Sequence, residues 1–308
     1  MYSRSNPPST DDVLAFFDQL SNWGRWGEDD ELGTLNLLTD ETRKRGAAAV
    51  RHGINVSCAW EVPTGEGGIE RETQIQHFPP EELPWGGANE HLRYDCHDAF
   101  FTHLDAVSHI FWAGKTYNGR VAEEIITPAD GVTFGAVTGA ANGLSTRGVL
   151  LDIPAARGVD WLEFGEAVFP EDLAAAEERQ RVRVEPGDAV FIRTGYDRMR
   201  HETGTRLTGS TGQQGLHAAC LPWLRERDVA VLGCDTGQDA LPSGYDTVFL
   251  PIHTVAQAAM GLWLIDHCDL SACAQTAERL QQWDFQISVA PIRFAVTSGS
   301  AVNPIALF

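Results

Sequence analysis

Sixteen consecutive residues, Tyr94 to His109, carry three histidines and three aspartates, and the apolar Ile110-Phe111-Trp112 follows directly. This stretch restricts the fold more than any other, because imidazoles and carboxylates set among Phe and Val are stable only where each finds a partner. In an extended segment alternate side chains share a face, which places His103 beside Asp105 with Cα atoms roughly 7 Å apart. Asp105 and His109 are four residues apart, so a helical turn after Leu104 would stack them as well and make Asp105 common to both pairings. Neutral imidazole and ionised carboxylate are the donors that suit zinc, manganese or iron. A plain strand end closed by a His–Asp hydrogen bond accounts for the same residues without an ion.

A metal centre needs three or more protein ligands, so His103 and Asp105 require help. His97 and Asp98 lie upstream. His97 precedes His103 by six residues, about 20 Å in a straight strand, and joins the site if the chain bends around Ala99-Phe100. His253 and Asp266 bracket an apolar run, Ile252 to Ile265, that reads as one helix; its ends are about 20 Å apart and could not share an ion. His217 and His267 read as single packing or capping histidines. A Cys96–His97 nucleophile pair is disfavoured because neighbours on a strand face opposite ways. No G-x-S-x-G, P-loop or G-x-G-x-x-G occurs, which removes the commoner hydrolase, NTPase and dinucleotide readings.

The formal charge of −20, from 43 acidic and 23 basic residues, repels phosphate backbones and anionic lipid, so nucleic acid and membrane surfaces are excluded as partners. Six scattered cysteines without a C-x-x-C pair fit reduced thiols. With no signal-type apolar region and no long apolar run, the expected location is cytoplasmic.

Turn and periodicity signals give an α/β chain of one domain, residues 1–308, with an N-terminal arm and helix over 1–20. Helices are expected from Asp11 to Leu20, from a Thr39 cap to about Arg51, over Glu171–Arg181 after Pro170, over Gln213–Arg225 with Pro222 shortening it, and from an Asp269 cap to Trp283. Strands are expected at Ile54–Trp60, Gly148–Ile153, Asp188–Arg193, Asp228–Cys234 and Phe285–Val296. Residues 61–90, rich in Gly and Pro, read as a long lid or subunit-contact loop. Asn22-Trp23-Gly24-Arg25-Trp26-Gly27 suits an ordered loop, either a plug over the core edge or an aromatic wall of a ligand pocket.

Thr102-His103-Leu104-Asp105-Ala106-Val107-Ser108-His109 resembles the T-H-x-D-x-x-x-H core of the cyclase-like metal-dependent hydrolases, the family of bacterial kynurenine formamidase and isatin hydrolase. The resemblance runs in order through Asn22–Gly27, Leu32–Asn36, Lys115–Gly119, Thr146–Asp152, Pro186–Asp188, Arg193–Gly195, Gly233 with Asp235, Pro251–His253 and Val302–Ala306. It implies a swivelling β/β/α fold and a divalent metal, Mn2+ or Zn2+. His103 and Asp105 match metal ligands, His109 the acid/base, His253 a later site histidine, and Asp266 stands where many members have glutamate. The sequence departs from the signature at two places: Ala99 stands where the first ligand histidine belongs, and Phe101 replaces the glycine. His97 is then the candidate for the missing ligand.

The expected activity is metal-dependent hydrolysis of a C–N or C–O bond in a cyclic amide, imide or lactone, or in an aryl formamide, by metal-activated water. His97, His103 and Asp105 would hold the metal, and His109 and His253 would be catalytic. Trp23, Trp26, Phe100, Phe101 and Trp112, with Asp266, would contact a flat ring. The competing expectation is a catalytically silent binding or scaffold protein that lost the first ligand. The long 61–90 segment and the resemblance together point to a homodimer or homotetramer.

Overall fold

The computed structural model describes residues 2–65, 68–79, 83–99, 101–207 and 212–308; the expected pocket residue Phe100 lies outside them. Nine strands form one mixed sheet: β1 Asn55–Ser57, β2 His103–Asp105, β3 Leu144–Asp152, β4 Ala189–Arg193, β5 Val231–Cys234, β6 Trp263–Asp266, β7 Asp284–Val289, β8 Gly299–Ala301 and β9 Ile305–Leu307. Their order across the sheet is β1-β9-β7-β3-β4-β5-β6-β2-β8. Strands β3 to β6 run parallel, and the flanking pairs are antiparallel. The principal helices are α1 Thr10–Gln19, α2 Asp40–Ala48, α3 Pro170–Gln180, α4 Tyr196–Thr203, α5 Leu221–Glu226, α6 Pro251–Ala258 and α7 Ser271–Leu280.

Both faces of the parallel centre are covered, which is why β3 to β6 read as almost unbroken apolar runs. Alternation divides them: Val149, Leu151, Val190, Ile192, Leu232 and Leu264 join one core with residues of α1, α3, α5 and α6. Leu150, Phe191, Val231, Ile265 and Leu104 join the other, with Phe285 and residues of α7. Each fully buried side chain of this size contributes about 1.5–3 kcal/mol, so the strand that carries His103 and Asp105 is held firmly through Leu104 between them.

Local chemistry sets the helix ends. Ser9 caps α1 in a reciprocal capping box with Asp12, Thr39 accepts from the Thr42 N–H at the start of α2, and Pro170 occupies the first turn of α3. Asp269 accepts from Ser271 N–H ahead of α7, which ends at Leu280.

Three expectations need correction. The single helix over Ile252–Ile265 is α6 followed by β6. Leu262 N–H returns to Ala256 O, and Gly261, at φ +62°, leaves a gap in which a Cβ would meet the Tyr117 ring at 2.5 Å. Such a glycine-terminated reversal ends a helix however apolar the next residues are. The helix over Gln213–Arg225 shortens to α5, with Pro222 in its first turn. Within 61–90, the strands Glu70–His77 and Gly86–Arg93 form an exposed hairpin, whose mostly polar sequence gave no strand alternation.

Candidate metal centre

The centre lies where β2 is inserted between β6 and β8. Register puts Asp266 opposite His103 on one side and Gly299 opposite Asp105 on the other. His103 and Asp105 share a face, as strand alternation requires, and Asp105 is completely buried. After β2 the chain makes a turn in place of the expected helix, with His109 N–H bonded to Ala106 O at 3.0 Å. The turn still brings His109 Nε2 to 3.8 Å from Asp105 Oδ2.

His97 reaches the same carboxylate; of the bend expected around Ala99-Phe100, Phe100 lies outside the described residues. Residues Cys96 and His97 form a turn, and His97 Nδ1 lies 2.7 Å from Asp105 Oδ1. Its ring stacks on His109 with centroids 3.5 Å apart, and its Nε2 lies 2.8 Å from Ser298 Oγ. On the opposite flank, His103 Nδ1 is 3.1 Å from Phe101 O. A carbonyl can only accept, so His103 carries its proton on Nδ1 and offers the Nε2 lone pair, which lies 3.6 Å from Asp105 Oδ1.

His253 and Asp266 join the cluster from two separate elements. His253 Nε2 is 3.0 Å from Asp266 Oδ2 and 3.9 Å from Asp105 Oδ2, while its Nδ1 is 2.6 Å from Asp239 Oδ2. Gln238 donates to Asp266 Oδ1 at 2.9 Å. Gln257 donates to Asp105 Oδ2 at 3.1 Å and accepts from Ile110 N–H at 3.0 Å. Asp239, Gln238 and Gln257 were missed by the sequence reasoning. Gln257 alone left a signal, four residues beyond His253 and so on the same face of α6.

The electrostatics follow from burial and from these pairings. Burial pushes the Asp105 carboxyl up, but His109, His97 and His103 outweigh it and hold it well below the usual carboxylate range. Burial lowers the His109 imidazole to about 4 against the opposing pull of Asp105. For His253 burial opposes charge, yet Asp266 and Asp239 overcome it and hold the imidazolium well above its ordinary value. Burial pushes the Cys96 thiol up to about 12, which rules it out as a thiolate nucleophile at neutral pH.

Of the expected aromatic residues that are described, Phe101 abuts the cluster, edge-on to His103 with centroids 6.1 Å apart. Trp112 stacks on Phe17 of α1. Trp23 donates from Nε1 to Ala258 O at the end of α6, and the Trp26 ring lies under the Arg25 guanidinium. Trp23 is thereby fastened to α6, Trp112 to α1 and Trp26 to its own loop. A surface groove of about 1020 Å3, lined by Asp152, Arg193, Arg198 and His201 among others, has none of the cluster residues in its lining.

The donor set fits a divalent cation. One ligand atom each from His97, Asp105 and His109 lie within 4.8 Å of one another, and so do atoms from His103, Asp105 and Asp266. Mixed imidazole nitrogen and carboxylate oxygen with one carboxylate common to both groups is the chemistry of zinc or manganese.

The family profile described as "Putative cyclase" matches residues 69–238, more than half of the chain. The chain belongs to this cyclase family. In three dimensions this cyclase-family chain is similar to a crystal structure of a novel cyclase, with TM-score 0.83 and 24% identity over 95% of this chain and 99% of the other. It is also similar to isatin hydrolase A from Labrenzia aggregata bound to benzyl benzoate, with TM-score 0.56 and 18% identity over 84% and 94%. An isatin hydrolase bound to the product analogue thioisatinate gives TM-score 0.56 and 15% identity over 85% and 94%. No curated protein matches in sequence. The swivelling β/β/α arrangement expected from the sequence is therefore the fold of this cyclase-family chain, and no described helix is long and apolar enough to cross a membrane.

Proposed function

We propose that this protein is a metal-dependent hydrolase that opens a cyclic amide, imide or lactone, or cleaves an aryl formamide. The observation that carries the reading is the buried Asp105 shared by two groups of candidate ligands, with the His103 Nε2 lone pair turned toward it. Family membership and the solved isatin hydrolases of the same fold support the substrate class.

His103 and Asp105, with His97, would hold the cation, and manganese or zinc suits the donors. When bound, a divalent cation supplies water activation near neutral pH and polarises a carbonyl. His109, whose ring makes no hydrogen bond among the described residues, takes the proton of the attacking water and returns it to the leaving nitrogen or oxygen. His253, clamped by Asp239 and Asp266, presents a hydrogen-bond donor beside that carboxylate and fixes its direction. Phe101, buried edge-on to His103, backs that imidazole. The exposed hairpin at 70–93, with Ile75 and Leu92 on its surface, serves as a subunit-contact arm in a homodimer or homotetramer.

Metal analysis, sedimentation velocity and a panel of isatin, N-formylkynurenine and simple lactones with added Mn2+ or Zn2+ test the reading together. Near-stoichiometric metal, lost in His103→Ala, with hydrolysis of a panel member is the expected result. Metal far below one equivalent and unchanged by His103→Ala would favour the silent binding protein.

A further inference from the structure

We infer that Ser298 and Gly299 form a seat that turns His97 into a cation ligand, compensating for the histidine absent at Ala99. The inference rests on the metal-dependent reading above and adds to it two positioning residues, about 200 positions away in sequence from the ligand they serve.

His97 lies in a turn and not on a strand, so its ring is held by tertiary contacts alone. Those contacts come from Asp105, His109 and the segment leading into β8. Ser298 Oγ lies 2.8 Å from His97 Nε2, and the Ser298 carbonyl is fixed by Ala106 N–H at 2.8 Å. Gly299 then pairs with Asp105 across the sheet. A Cβ on residue 299 would stand 2.6 Å from His97 Cε1, 2.7 Å from Leu104 O and 3.3 Å from Cys96 Sγ. Pairing with β2 fixes the Gly299 backbone from one side and His97 closes over it, so a side chain at 299 would press on the imidazole in its slot.

The hydroxyl at 298 has a second role, in the tautomer. With no cation, His97 Nδ1–H donates to Asp105 Oδ1 and the Ser298 hydroxyl donates to Nε2. A hydroxyl both donates and accepts, so the same contact serves with the proton on Nε2 and the serine oxygen accepting it. In that tautomer the Nδ1 lone pair faces the space beside Asp105, among the ligand atoms that lie within 4.8 Å of one another. A hydrogen bond at the far ring nitrogen is the usual means of fixing a ligating histidine. His103 uses the opposite assignment, with Nδ1–H on Phe101 O and Nε2 free. The two imidazoles thus approach the shared carboxylate through different nitrogens, each fixed from behind by its own acceptor.

Co2+ titration, followed by calorimetry and visible absorption, tests the seat on wild type, Ser298→Ala, Ser298→Thr, His97→Ala and the Ser298→Ala/His97→Ala pair. Ser298→Ala should weaken Co2+ affinity about 10–100-fold and alter the cobalt spectrum, while lowering the melting temperature of the metal-free protein only by the loss of one hydrogen bond. Ser298→Thr should restore affinity, and the double variant should bind no more weakly than His97→Ala alone. Gly299→Ala should reproduce the His97→Ala spectrum; should it fail to fold, the Ser298 series decides alone. Wild-type affinity in Ser298→Ala, or losses that add in the double variant, overturns the seat while leaving the metal reading intact. A wild-type protein that takes up no Co2+ overturns both.

Discussion

Gln257 occupies a position where a side chain of no chemical reactivity controls two that have it. Its amide donates to Asp105 Oδ2 and accepts from Ile110 N–H, so it ties the ligand-bearing strand to the end of the loop that presents His109. Gln257 and Asp105 are completely buried and Ile110 is half-buried, so the Asp105 oxygen at least finds no ready replacement in bulk water. Gln257→Met keeps the volume and removes both bonds, so it should cost about 1–3 kcal/mol of stability, read as a lower urea midpoint at unchanged slope. At this scale the sequence was legible for His103, Asp105 and His109, because a strand face and a short turn decide their meeting. It was legible for His97 as a requirement, a bend at Ala99, without the means of meeting it. Ser298 and Gly299, which supply those means, lie just beyond the strand expected at Phe285–Val296, in a stretch for which no element was expected. His253 and Asp266 were separated by an apolar run that looks like one helix; the decisive residue, Gly261, acts through a backbone angle and through Tyr117, neither of which periodicity records.

Among the elements, α2 shows how closely a helix can be laid on this sheet. Gly46 faces β3, and a Cβ there would stand 2.4 Å from the Thr146 carbonyl carbon. Helix propensity alone predicts a gain of about 1 kcal/mol for Gly46→Ala. The structure predicts the opposite sign, a loss of about 1–3 kcal/mol from forcing apart two backbones, and thermal unfolding of the two proteins decides between them. The parallel strands β3, β4 and β5 were all found from sequence within a few residues, since burial on both faces writes a continuous apolar run. The short strands β8 and β9 were not, having three residues each, too few for any alternation, and β1, also of three residues, is shorter than the Ile54–Trp60 strand expected there. The hairpin at 70–93 escaped for a different reason. Its direct pairs Arg71–Leu92, Thr73–Glu90 and Ile75–Ala88 mix polar and apolar residues, and a sheet that buries neither face in its own chain has no pattern to show.

For the whole molecule, buried neutral imidazoles should make the metal-free protein sensitive to mild acid. Burial lowers the imidazoles of His217, His267 and His109 to about 4. His217 has a structural reason to stay neutral, since its Nδ1 accepts the Ala219 N–H at 3.1 Å. Above pH 6.5 these groups are neutral in both states and the stability is fully present. Between 6.5 and about 4 the unfolded chain takes up protons that the folded chain refuses, so stability falls as pH falls; below that no further loss comes from them. The melting temperature should therefore drop across this window, and His217→Gln should make the drop shallower. An unchanged slope in that variant would show that His217 does not contribute.

The insertion of β2 between β6 and β8 also has a consequence for biosynthesis. The strand with His103 and Asp105 is made when about a third of the chain exists, but its two neighbours are residues 263–266 and 299–301. Domains close on the ribosome only as their partners emerge. For most of translation the ligands are thus tethered to a chain that has no sheet to hold them, and a cation cannot be captured in its final setting. Assembly of the setting around His103 and Asp105 therefore has to wait for residues 299–301.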